Sequence, residues 1–312
     1  MNEKPYNSLD LYLKKTFGRK LYKLALESGI GTCPNRDGTK GVGGCIFCGE
    51  SGSGDFAAEK TDSVTLQLER AKELVKNKIK DDGKTPCYIA YFQSFTNTYA
   101  PTGYLEKIFT EAINDSSVAV LSVATRPDCL PVETLDLLGR LNKIKPVWVE
   151  LGLQTSNERT AGYINRCFDN ACFENAVREL KNRGVTVIVH MIIGLPGETK
   201  DDMINTVKYI NSVRADGIKL QLLHVLKGTR LERESYVPLT LSEYTDILIG
   251  CIENLSPDVT VHRITGDGNK RLLVSPLWSA DKKTVLNTIH REMKERNSYQ
   301  GKEFTVDCPE TR

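Results

Sequence analysis

Three cysteines in one glycine-rich segment set the chemical question for this chain. The stretch TCPNRDGTKGVGGCIFCGESGSGDF, residues 32–56, carries Cys33, Cys45 and Cys48 together with seven glycines. The two-residue gap of CIFC lets both thiolates reach one metal centre, and the eleven residues before it let Cys33 swing back to the same place. Gly41, Gly43 and Gly44 permit tight turns and leave backbone N–H groups to point at anionic sulfur. A structural zinc site takes four protein ligands, and none of the four histidines lies near this loop. A four-iron cluster usually takes four cysteines. Three would leave one iron open, able to hold the amino and carboxylate groups of a small molecule. Zinc, or thiols that merely pack, are the alternatives the residues leave standing.

The elements that must position this loop alternate. Apolar, β-branched runs at Lys20–Leu26, Cys87–Gln93, Val118–Val123, Val147–Leu153, Val185–Ile193 and Ile218–Val225 read as strands. Helix-period segments lie between them at Val64–Ile79, Gly103–Ile113, Val132–Leu141, Asn170–Asn182 and Met203–Val213. Six βα units of this kind predict an α/β fold with a parallel sheet. An open doubly wound sheet and a barrel both satisfy that pattern. The segments that follow the strands are the cysteine loop, QSFTNT, TRPD, QTS, GLPGE and LKGT, so every unusual sequence falls on one edge. A barrel gathers all its βα loops on one face, whereas a doubly wound sheet concentrates ligands at one switch point. We therefore expect a partial (β/α)6 TIM-like barrel forming one domain over 1–312. Its core is 31–230, with an N-terminal extension and first strand at 1–30 and a C-terminal extension at 231–312. That extension is expected to hold a helix at Ser242–Asn254, a strand at Val259–Ile264 and a basic helix at Lys282–Arg296.

Composition narrows the class. The chain has 312 residues, 40% hydrophobic and 26% charged, with formal net charge +2, too mild to announce a nucleic-acid partner by itself. The polar start MNEKPYNSLD lacks the apolar core of an export signal, and the longest apolar run, VTVIVHMIIGL, is too short to span a bilayer. Nine cysteines without an export signal lead us to expect reduced thiols and a cytoplasmic protein. Six of them, Cys87, Cys129, Cys167, Cys172, Cys251 and Cys308, are scattered and read as small buried apolar residues.

Alternation along VWVELGLQT places Val147, Val149, Leu151 and Leu153 toward the helices, and Trp148, Glu150, Gly152 and Gln154 into the barrel. A Glu and a Gln on an interior face are costly unless they meet a ligand or each other. Gly152 between them leaves room for something bulky. His190 shares a face with Thr186 and Ile188. Lys219 and Gln221 share a face of the sixth strand, as candidates to touch substrate or to pair with Glu150.

The cysteine loop with an aromatic, Phe47, inside its last pair, followed by six βα units, resembles the radical S-adenosylmethionine enzymes. The motifs YNSLDLYLKKTFGRK, TCPNRDG, GGCIFC, ATRPDCLP, VELGLQT and HMIIGLPGET resemble its YtqA/YhcC branch, related to the Elongator catalytic subunit and the oxygen-independent coproporphyrinogen oxidases. The eleven-residue gap is shared by that branch, where the wider superfamily has three. The resemblance implies a [4Fe-4S] cluster on Cys33, Cys45 and Cys48 that binds S-adenosylmethionine and cleaves it to a 5′-deoxyadenosyl radical, with a flavodoxin or ferredoxin as electron donor. It implies that Gln154 helps hold the cofactor, that Arg166 pairs with the methionine carboxylate, and that Gly194 admits the adenine. Phe47, Glu150 and His190 join the cofactor side. Ser94 and Thr96 stand where relatives bind the cofactor amine. Ala124 replaces a Glu of relatives, so the ribose contact would pass to Thr125 or Arg126. The branch also implies tRNA as partner, with a wobble uridine carrying a carboxymethylaminomethyl group converted to aminomethyl. KKTFGRKLYK and the helix bearing Lys282, Lys283, Arg291, Lys294 and Arg296 could meet phosphates, although a charge run is usually a solvated face. A radical enzyme for a small metabolite or peptide, and a non-catalytic metal-binding barrel, are the other two classes.

Overall fold

The structure is a computed structural model, which describes residues 4–49, 52, 63–79, 85–266, 268 and 270–305. Cys308 and the end of the glycine-rich stretch, including Phe56, lie outside the described residues. Strands β1 (Tyr22–Leu26), β2 (Tyr88–Phe92), β3 (Val118–Thr125), β4 (Val147–Gln154), β5 (Thr186–Ile193) and β6 (Gly217–Leu222) form where the apolar runs predict them. The sixth run stops at Leu222, and Val225–Leu226 is a separate short strand, β7. The C-terminal region adds β8 (Thr260–Arg263) and β9 (Leu273–Ser275), the latter antiparallel to β7.

Among the described residues the main sheet has seven parallel strands in the order β1-β2-β3-β4-β5-β6-β8. It is therefore one strand larger than the six expected, because a run assigned to the C-terminal extension joins the edge of β6. The order is sequential and β1 and β8 are not paired, so the sheet curls without closing. The curl is visible in contacts across it. In a flat sheet β2 and β6 would stand about 19 Å apart, at roughly 4.8 Å per strand. Yet Lys219 Nζ of β6 lies 3.1 Å from the hydroxyl of Tyr91 on β2.

Helices cover the outer face: α2 (Val64–Val75), α3 (Thr102–Asn114), α4 (Val132–Asn142), the short α5 (Glu158–Tyr163), α6 (Asn170–Asn182), α7 (Lys200–Ser212) and α8 (Leu241–Asn254). Their starts are set by local chemistry. Ser63 caps α2 and Asp169 caps α6, while Thr199 with Asp202 and Thr240 with Glu243 form reciprocal capping boxes on α7 and α8. The outward residues of the strands, Val147, Val149, Leu151 and Leu153 among them, are buried against these helices in one continuous core. The inward face has its own layers. At the N-terminal ends of the strands, Ile89, Val120, Trp148 and Ile188 pack with Leu13 and Leu21. Leu13 belongs to α1 (Leu9–Phe17), a helix that follows the N-cap Ser8 and plugs the barrel floor, with Tyr12 edge-on to Trp148. Ser8 bridges to Val261 of β8, and Gln300 bonds the Asn7 amide and the carbonyls of Ser256 and Val259. Both chain extensions thus fasten the bottom. The last helix, α9 (Lys282–Glu295), packs on α8.

Candidate active site

The C-terminal rim of the sheet holds the thiols. Cys33, Cys45 and Cys48 line a single cavity that continues down into the barrel, past Gln154 and Gln221 to Glu150, His190 and Lys219. Ile46 anchors the loop. It is buried among Ile164, Ile192, Leu195, Leu223, Val225 and Leu231, and its backbone bonds to Ile164 and Leu231. Asn35 and Asn165 tie the loop to the segment after β4: Asn35 Nδ2 donates to the Asn165 carbonyl, and Asn165 Nδ2 to the carbonyls of Val42 and Gly44. Gly44 holds a left-handed backbone at φ 74°, which favours glycine, and a Cβ there would push on the Arg36 side chain at 2.9 Å from Nε. Two of the three amides expected to face sulfur are used otherwise: Gly41 and Gly44 donate to the Pro34 and Asn35 carbonyls. The side chains that do reach sulfur are Thr96, 3.5 Å from Cys33 Sγ, and Asn35, 3.6 Å from Cys45 Sγ.

These residues fit an iron–sulfur group better than a single ion. Among the described residues no three Cys, His, Asp or Glu side chains converge to hold one metal ion. A polynuclear cluster, which gives each thiolate its own iron, suits that spread. Burial and the adjacent Cys48 push the Cys45 thiol up to about 12, so a thiolate there needs a metal centre's positive charge beside it.

Below the thiols the cavity turns polar. Glu150 is fully buried and accepts from Lys23 Nζ at 3.0 Å, Ser122 Oγ at 3.1 Å, His190 Nε2 at 2.7 Å, and Lys219 Nζ. Burial opposes its ionisation, but the ammonium groups of Lys219 and Lys23 outweigh this and hold the carboxyl well below its ordinary range. Burial drives His190 down to about 4, so the ring is neutral near pH 7 and carries its hydrogen on Nε2, the atom that meets a carboxylate.

Phe47, Thr96, Thr125, Arg126, Glu150, Gln154, Arg166, His190, Lys219 and Gln221 all line this cavity. Within it, several are already engaged. Arg126 makes two hydrogen bonds to Asp128, and the Thr125 hydroxyl lies 2.6 Å from that of Thr98. Arg166 is 1% exposed and uses every guanidinium N–H on protein: the carbonyls of Phe168, Leu153 and Thr155, the Glu158 carboxylate and the Asn170 amide. It staples the loop after β4 and presents no spare donor to a methionine carboxylate. The space over Gly152, expected for something bulky, is filled by the Gln154 carboxamide, which folds back from a residue at φ 69°.

Two expected residues lie elsewhere. Ser94 is wholly buried and donates to Glu27 rather than facing the cavity. Gly194 lines a neighbouring cavity with Glu198, Tyr163 and Tyr236, where Tyr236 donates to its carbonyl at 2.7 Å. The strand register could not reveal this, because Tyr236 arrives from the segment after β7. In α9 and α1 the basic residues are partly spent. Arg296 pairs with Asp246 and Glu292, Arg291 lies near Glu292 and Glu295, and Lys14 pairs with Asp10. Tyr91 lines the cavity and Lys23 reaches Glu150 from β1, and no motif marks either residue. Their signal is alternation: each sits at an inward position of a strand otherwise buried on its outer side.

A half-open parallel barrel whose rim carries a three-cysteine loop over a polar lumen is the architecture of a radical S-adenosylmethionine enzyme, and the chain belongs to that superfamily. The radical SAM superfamily model matches residues 32–210, and the radical SAM C-terminal domain model matches 215–295. Uncharacterized protein YtqA of Bacillus subtilis is 45% identical over 306 residues, covering 97% of this chain and 94% of YtqA. Protein YhcC of Escherichia coli is 36% identical over 288 residues, covering 91% and 90%. Among solved structures, the archaeal Methanocaldococcus infernus Elp3 superposes with a TM-score of 0.66 at 17% identity, over 90% of this chain and 64% of that one. Escherichia coli coproporphyrinogen III oxidase gives 0.50 at 16% identity, over 79% of this chain and 52% of that one. The chain thus spans about two thirds and one half of those two proteins, and at such identity they show the shared fold. The cofactors of the superfamily are a [4Fe-4S] cluster and S-adenosylmethionine. No described helix is long and apolar enough to cross a membrane.

Proposed function

We propose that this protein removes a hydrogen atom from the carboxymethyl carbon of a carboxymethylaminomethyl group on the wobble uridine of tRNA. The substrate radical then gives one electron to an oxidised iron–sulfur or flavin carrier and a proton to solvent, and water cleaves the resulting imine to the aminomethyl group and glyoxylate. The observation that carries the reading is the union, in one cavity, of three thiols at the rim and a polar floor built from four different strands. Cys33, Cys45 and Cys48 would hold the cluster, and Gln154, Thr96 and Arg126 would border S-adenosylmethionine. The cluster, when bound, supplies the electron that cleaves S-adenosylmethionine to methionine and a 5′-deoxyadenosyl radical. The chain's own residues place the substrate and exclude water and oxygen from the reacting atoms. Glu150 stays ionised and fixes Lys23, Lys219 and the neutral His190 around the reacting group. The tRNA substrate follows from the resemblance to the YtqA/YhcC branch. A wobble base is already accessible in a single-stranded loop, so no melting of a helix is needed. The first turn of α9, with Lys282 and Lys283 exposed, borders Ile264 and Thr265 after β8 as well as Ser8, Leu9 and Asp10 at the start of α1, and would offer these lysines to phosphates. A flavodoxin or ferredoxin would serve as donor.

Nucleoside mass spectrometry of tRNA from a deletion strain tests the substrate, with accumulation of the carboxymethylaminomethyl form expected. An unchanged wobble profile would replace tRNA by a small metabolite or peptide. Anaerobic assay of reconstituted protein tests the chemistry, with reductive formation of 5′-deoxyadenosine expected.

A further inference from the structure

The floor of the cavity holds more basic than acidic groups. Among the described lining residues Glu150 is the one carboxylate. Its four donors, Lys23, Ser122, His190 and Lys219, fill the lone-pair sites of a carboxylate, so it can accept nothing more. His190 is neutral, so the amines of Lys23 and Lys219 face one carboxylate; burial pulls the Lys219 amine well below its ordinary value, and Glu150 offsets that only in part. The Lys219 side chain is 3% exposed. Its ammonium has three N–H groups, of which Glu150 and the Tyr91 hydroxyl take two, and the third has no acceptor among the described residues. Both ammonium groups lie 4.7 Å from the centre of the Tyr91 ring, Lys23 with further N–H groups to spare. Two residues along from Lys219, the Gln221 amide also lines the cavity and makes no hydrogen bond among the described residues. Arg263, the register neighbour of Lys219, is a further cation in the lining and has an interaction of its own. A buried ammonium without a full counter-charge is costly unless something completes it.

We propose that Lys219, with Gln221 beside it and Lys23 supplying charge from behind Glu150, is a binding site for a carboxylate of the substrate. The assignment rests on the cavity being the substrate site proposed above, but not on the substrate being tRNA. The carboxymethylamino group of a modified uridine and the carboxylate of a free amino acid offer the same chemistry, and the experiment separates them.

Two arms test it on anaerobically reconstituted protein. In the first, thermal unfolding is followed with sodium acetate or with neutral acetamide, chloride holding ionic strength constant. Acetate should raise the melting temperature and acetamide should not. Lys219→Met should abolish the shift. Lys23→Met, at a more exposed position, should reduce the shift and serves if Lys219→Met does not fold. In the second arm, tRNA bearing the carboxymethylaminomethyl group is compared with its methyl ester. The wild type should bind the ester about tenfold more weakly, as expected for loss of a charged hydrogen bond. Lys219→Met should bring acid and ester to within about twofold of each other. No acetate shift, or acid and ester bound alike by the wild type, overturns the carboxylate site. An acetate shift that Lys219→Met removes, with neither tRNA bound, keeps the site and discards the tRNA substrate.

Discussion

The carboxamide nitrogen of Gln154 lies 2.7 Å from the point a Cβ would occupy on Gly152. Two residues of one strand therefore share one space, and the absence of a side chain at the first sets the position of the second. The β4–β5 register slips between them, and Gln154 takes a left-handed backbone, which turns its amide back over the cavity. Gly152→Ala displaces a flexible amide rather than backbone, so its stability cost should stay under about 1 kcal/mol. If the amide holds S-adenosylmethionine, its dissociation constant, measured by anaerobic equilibrium dialysis, should rise by about tenfold, one hydrogen bond's worth. Unchanged affinity with a displaced Gln154 would remove this residue from the cofactor site.

Arg166 tests the difference between holding the fold and holding a ligand. With a saturated guanidinium at 1% exposure, Arg166→Ala leaves the carbonyls of Leu153 and Thr155 without their donor. A loss of about 3 kcal/mol is expected from urea denaturation. Arg166→Lys keeps the charge but not the planar fork, and should recover only part of that. A Lys variant of full stability that fails to bind S-adenosylmethionine would return Arg166 to the ligand role its resemblance implies.

The three thiols should act as one unit. Reconstituted wild type should bind about four irons per chain, as one cluster requires. Alanine at Cys33, Cys45 or Cys48 should abolish both the iron and 5′-deoxyadenosine formation, with the helical circular dichroism retained. Cys172→Ala should leave the iron count as it is. Zinc at one equivalent without iron would instead favour a non-catalytic barrel.

Glu198 gives the pH dependence a sign. Burial pushes its carboxyl up to about 7 from 4.5, although Thr155 donates to it at 2.5 Å. Between those values the folded state holds more proton than the unfolded, so this group's contribution is full below 4.5 and is lost as pH rises toward 7. Glu198→Gln should flatten that segment of the stability–pH curve and raise the melting temperature at pH 8. A slope unchanged in the variant would assign it to other groups.

Much of the site was legible because strands alternate with period two. Once VWVELGLQT was a strand with apolar residues outward, Glu150 and Gln154 had to face inward, and the same rule aligned His190, Lys219 and Gln221. The thiol spacing and the run of loops on one edge likewise required only local sequence and the direction of the chain. Sequence also determined that six strands and their helices would alternate, since each amphipathic face demands a covering layer.

What tertiary structure decided is which of these groups meet. Lys23 joins Glu150 only because the sheet curls, bringing β1 across to β4. Gly194 lost its expected opening to Tyr236, and Ser94 turned to Glu27, through contacts between segments distant in sequence. Arg166 was spent on carbonyls that its own loop exposes as β4 ends. The seventh strand joined because the edge of β6 offered unpaired backbone groups that Thr260–Arg263 could satisfy. Local pattern fixes which way a side chain faces. The partner it finds there depends on packing between remote elements, which no single stretch of sequence encodes.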